Sequence, residues 1–111
     1  MMIIEDKKQY IHIYSNDNSL NEFTNNFKEE HPIVEKKNVI ISISESFKVK
    51  EEDIFVFLKY SKIHEENGTT FVVICKTVDV HNFPEEFNIV PTLQEAEDIL
   101  EMEDIQRDLG L

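Results

Sequence analysis

The sequence predicts an α/β domain: a mixed, mostly parallel sheet of about four to five strands, helices packed mainly on one face, and a long C-terminal helix. Three observations carry this. Apolar runs too short for helices, Val39–Ile43 and Phe71–Cys75, alternate with helical apolar periodicity. The runs are apolar on nearly every position, as in strands covered on both faces. Two Ser/Thr-x-x-Glu boxes mark helix starts. At 111 residues the chain suffices for one core and not two.

The elements follow in order. Met2–Glu5 and Tyr10–Tyr14 are β-prone and separated by Asp6-Lys7-Lys8-Gln9, which suits a hairpin. Tyr10-Ile11-His12-Ile13-Tyr14 alternates, so one face can be buried and the other wet. Ser19-Leu20-Asn21-Glu22 is a capping box, Leu20, Phe23 and Phe27 recur at helical spacing, and Pro32 predicts a stop by about His31. A second helix is expected from Glu51 to Asn67. Its first turn is acidic, its stripe is Ile54, Phe57, Leu58 and Ile63, and Gly68 follows its end. Val80–Phe87 reads as irregular and Asn88-Ile89-Val90 as a short strand. Thr92 caps the last helix, with Glu95 three residues on and Leu93, Ala96, Ile99 and Leu100 as its stripe. That helix is expected to run to Leu109, with Gly110 closing it.

Charge is the strongest compositional signal. The formal net charge is −12, and residues 77–111 carry ten acidic side chains against one basic, Arg107. Such a surface repels phosphates, so direct nucleic-acid and anionic-membrane binding are disfavoured, and a basic partner would be steered in. Cys75 is the single cysteine, so no internal disulfide forms, and its apolar run predicts a buried structural thiol. No apolar stretch approaches membrane-spanning length, and the N-terminus lacks signal-peptide anatomy. A reducing cytoplasmic setting is the default expectation.

Catalytic motifs are missing. His12, His31, His64 and His81 do not pair at metal-ligand spacing, and His64-Glu65-Glu66-Asn67-Gly68 lacks the second histidine of a zincin helix. Two glycines cannot build a phosphate loop, and there is no Gly-x-Ser-x-Gly elbow. No catalytic residue, metal ligand or cofactor is predicted.

Residues 38–100 resemble the STAS domain of bacterial anti-sigma-factor antagonists. Asn38–Ser44 looks like that family's central strand, Phe47–Leu58 like the loop and helix after it, and Pro91-Thr92-Leu93-Gln94-Glu95-Ala96 like its closing helix. The resemblance implies one STAS-like domain over residues 1–100, with 101–111 a helical extension of it. It also implies a non-enzymatic interaction module in bacterial transcription regulation, whose partner is an anti-sigma factor, a sigma factor or a polymerase assembly. In that family the helix after the central strand opens with Asp-Ser-Ser-Gly, and one serine is phosphorylated. Here the stretch reads Lys50-Glu51-Glu52-Asp53, and Glu51 takes the acceptor position. A carboxylate there imitates a phosphate only in part. Ser44 and Ser46 are expected to be ordinary loop residues.

Residues 92–110 also look like small bacterial proteins sometimes labelled ribonuclease Z. That enzyme resembles metallo-β-lactamases and needs a His-x-His-x-Asp-His cluster, which is missing here. The label therefore points at most to an accessory subunit of an RNA-processing or polymerase assembly. A small-ligand sensor is the third reading, since some STAS domains bind ligands. Two surfaces are expected to meet a partner. One is the start of the second helix: Phe47, Val49, Glu51, Glu52 and Asp53. The other is the extension, where Met102, Ile105 and Leu109 form an apolar stripe next to Arg107.

Overall fold

A computed structural model describes residues 2–15 and 19–110. Met1 and Leu111, the outer bounds of the two predicted segments, lie outside them. The strands are β1 (Met2–Asp6), β2 (Ile11–Ser15), β3 (Val39–Ser42), β4 (Phe71–Ile74) and β5 (Ile89–Val90). They form one sheet in the order β1-β2-β3-β4-β5. β1 pairs antiparallel with β2 as the predicted hairpin, with Glu5 opposite His12 and Ile3 opposite Tyr14. All later pairings are parallel.

Parallel neighbours need crossovers, and helices supply two of the three. Helix α1 (Leu20–Val34) links β2 to β3; α2 (Glu51–Phe55) and α3 (Leu58–Asn67) link β3 to β4. A loop with a short 3₁₀ turn at Val80–Asn82 links β4 to β5, and α4 (Leu93–Asp108) follows. Thr92 caps α4 by accepting from the Glu95 amide at 3.2 Å, as its sequence box predicts.

Strand alternation sorts side chains between two cores. Ile11, Ile13, Val39, Ile41, Phe71, Val73 and Cys75 point to one face and pack with Phe23 and Phe27 of α1, Ile54 of α2, and Phe57 and Tyr60. Ile40, Val72 and Ile74 point to the other and pack with Tyr10, Val90 and, on α4, Ala96, Ile99 and Leu100. Three helices thus cover one face, while α4 lies alone on the second, over β4 and β5.

Two helix boundaries depart from expectation. α1 runs through Pro32 to Val34, because Pro32 falls in the last turn and forfeits a single backbone bond. The buried side chains of His31 and Val34 on either side of it hold that turn to the core. The second predicted helix is two. α2 closes at Val56, and the Phe57 amide donates to the Ile54 carbonyl at 2.9 Å instead of reaching back a full α-turn. The offset buries Ile54, Phe57, Tyr60 and His64, whereas Leu58 and Ile63 are only partly covered. Gly68 takes the left-handed conformation (φ 74°) that ends α3.

Candidate functional site

The residues predicted to meet a partner divide into three groups. Met102, Ile105 and Leu109 lie on the outer face of α4 and are 53%, 53% and 68% exposed. Asp98 and Glu101 flank the stripe, and with Met102, Ile105 and Gln106 they line a shallow depression of about 290 Å³. Arg107 turns the other way, into the chain's own fold. Its guanidinium donates to Thr70 Oγ1 at 2.9 Å and pairs with Asp104. Thr70 in turn donates to Glu103 at 2.8 Å, and Asn88 donates to the other Glu103 oxygen at 2.9 Å. The inner face of α4's second half is therefore a polar seam to the start of β4, and only its outer face is free for a partner.

At the start of α2, Phe47 is a core residue at 6% exposure and Val49 packs beside it. Burial takes Phe47 out of the predicted docking face. Asp53 closes the helix start, accepting from the Lys50 amide at 2.9 Å. Glu51 accepts from the Asn82 side chain, and Glu52 is exposed. The exposed apolar groups here are Phe55 and Val56, at 40% and 45%. The run Phe55-Val56-Phe57-Leu58 held the signal for them: four consecutive apolar residues cannot all face inward from one helix. Ser44 and Ser46 form a local turn, with their hydroxyl oxygens 2.8 Å apart.

A further feature was only half visible as the wet side of β2. Because α4 covers β4, β5 and Ile40 of β3, the same face stays open over β1, β2 and the end of β3. There Tyr10, His12 and Tyr14 stand in a row. Glu5 and Lys7 rise from the hairpin, Ser42 and Ser44 from the end of β3, and Leu93 and Glu97 from α4. They enclose a groove of about 800 Å³. Tyr10 donates to Glu97 at 2.9 Å, and burial and that carboxylate push its phenol up to about 12. His12 Nε2 lies 2.7 Å from Ser42 Oγ. Burial pushes the His12 ring below its ordinary pKa, although Glu5 and Glu97 both pull the other way. Tyr14 and Lys7 hold Glu5 below the usual carboxylate range. A serine beside a neutral histidine is two parts of a nucleophilic triad. Among the described residues no carboxylate is hydrogen-bonded to His12 Nδ1, so the third part is missing.

Folding also pairs two histidines that the sequence leaves apart. His31 Nε2 and His64 Nε2 are 2.8 Å apart, at 2% and 0% exposure. Thr69 Oγ1 donates to the His64 carbonyl at 3.3 Å and so accepts from His64 Nδ1 at 2.9 Å. That pattern assigns the Nε2 proton to His31 and makes His64 Nε2 the acceptor. Among the described residues no group of three or more His, Cys, Asp or Glu side chains could hold a metal ion, and no helix is long and apolar enough to cross a membrane. No protein-family model matches the chain, and no curated protein matches its sequence.

Proposed function

We propose that the chain is a non-enzymatic protein-interaction module, and that it docks through the outer face of α4 on a partner presenting apolar side chains among basic ones. One observation carries this: Met102, Ile105 and Leu109 are exposed together on a helix whose inner face is already committed to the sheet. Surface apolar residues scattered singly need no explanation; a stripe ringed by carboxylates matches helix-in-groove recognition. A second copy of the chain is the poorer occupant, because two bodies of charge −12 repel each other.

The finer reading, an anti-sigma-factor-antagonist-like module in bacterial transcription regulation, rests on the STAS resemblance of residues 38–100. In its support, the exposed Phe55 and Val56 lie beside Glu51 and Glu52, where that resemblance puts the family's docking face. With Glu51 in the acceptor position, docking there would not be switched by phosphorylation at that site. A nuclease as partner would instead select the accessory-subunit reading.

The test starts from the partner recovered with the tagged protein from its native cell, purified and rebound in vitro. Ile105→Asp is expected to weaken binding by about tenfold or more, the scale of an interface anchor. Ile33→Asp, at a 71% exposed position on α1, should change nothing. Loss in Val56→Asp alone would move the docking face to α2. Equal binding by all three variants, or substrate turnover abolished by one substitution, ends the proposal.

A further inference from the structure

We propose that the open groove over β1, β2 and the end of β3 binds a small organic cation, an alkylammonium, against His12 and Tyr14, beside the buried Tyr10 and between Glu5 and Glu97. This site is separate from the outer face of α4 and stands or falls apart from it. Its floor is aromatic but not flat. The His12 and Tyr14 rings are 5.0 Å apart and tilted by 41°, and Tyr10 and His12 meet edge-on at 6.4 Å. Rings set at angles make a cup, which suits a compact cation better than a stacked planar ligand.

The charges agree. Glu5 stands opposite His12 across the β1–β2 pair, and Glu97 enters the groove from α4, where it accepts from Tyr10. Burial keeps His12 neutral near pH 7, so the floor does not repel a cation. Tyr10 and Tyr14 turn their hydroxyls toward Glu97 and Glu5, which holds both carboxylates at the rim. Lys7 is the single Lys or Arg among the groove's described lining residues. Its ammonium lies 3.4 Å from Glu5, so the chain already seats a cation of its own at one end. A free amine would take that place or share it. Anions are disfavoured by both carboxylates and by the overall charge of −12.

The test is titration of isotope-labelled protein with choline and with putrescine at fixed ionic strength, following amide shifts. Saturable shifts are expected at His12, Tyr14 and Ser42. Glu97→Gln keeps an acceptor for Tyr10 but removes the charge, and should weaken binding about fivefold to tenfold. Lys7→Gln removes the internal competitor and should tighten binding about threefold, a gain that misfolding cannot imitate. Glu95→Gln, at an exposed position on α4, should leave it unchanged. Four outcomes overturn the site: no saturable shift with either amine, binding of inorganic phosphate in their place, undiminished binding by Glu97→Gln, or binding of a lysine peptide where both free amines fail.

Discussion

The His64 ring is packed against Phe71 at 5.0 Å and reaches His31 and Thr69 with its nitrogens. Burial, and then the neighbouring His31, push its pKa down to about 4, and burial lowers His31 as well. In the unfolded chain each ring takes a proton below about pH 6.5. The unfolded state therefore binds more protons between pH 6.5 and about 4, and stability falls as pH drops through that window. For His64 the loss is on the order of 3 kcal/mol. Urea midpoints measured from pH 7 to pH 4 should decline accordingly. A His31→Phe/His64→Leu double variant, which removes both polar partners together, should flatten the decline. Only half of this pair was legible. His31 continues the stripe Phe23, Phe27, and His64 continues Ile54, Phe57, Tyr60, so burial of each could be read from periodicity. Their meeting could not, because 33 residues separate them and only the packing of α1 beside α3 closes the distance.

The helices show where local sequence rules suffice and where packing overrides them. α4 begins at its Thr92 box and ends before Gly110, as the capping chemistry dictates. The stripe of Ala96, Ile99 and Leu100 showed which face of α4's first half turns inward, but the polar seam of its second half was hidden. Arg107 looked like a neighbour of the apolar stripe, yet the buried hydroxyl of Thr70 claims it. Thr70→Val keeps the volume and removes that hydroxyl, leaving Glu103 and Arg107 each short of a partner. It should destabilise the fold by about 1–3 kcal/mol in thermal or urea unfolding. Truncation after Leu100 would remove the seam and the stripe together, so Ile105→Asp and Thr70→Val separate docking from stability more cleanly. Pro32 and the break after Phe55 were misread for a common reason. Turn and breaker signals state local preferences, whereas Val34 and Phe57 are placed by the core they enter.

At the scale of the whole molecule, the fold class, the hairpin and the parallel pairings were all visible as alternating short apolar runs and helical stripes. The open groove was not, because its existence depends on α4 stopping short of β1 and β2. Charge acts on every part at once. A net charge of −12 on a body with a radius of gyration of 13.2 Å repels itself. Raising neutral salt from about 0.01 M to 0.15 M shortens the screening length from about 30 Å to about 8 Å. The melting temperature should rise, by about 4 °C for each kcal/mol of repulsion relieved. The same salt should slow association with a basic partner, so stability and on-rate are expected to move in opposite senses. Cys75, at 1% exposure, should react with a thiol reagent only as the protein unfolds, in step with the loss of secondary structure.

Strand order in the sheet repeats strand order in the chain. Each strand therefore lays itself beside its immediate predecessor, and no slot has to be held vacant for a distant segment. Assembly can advance across the sheet in the direction of translation, β1 and β2 first, with each new strand meeting an edge already made. His12 and Tyr14 on β2 are left partly uncovered by the same economy: α4, emerging after β5, settles on the strands nearest its own point of departure.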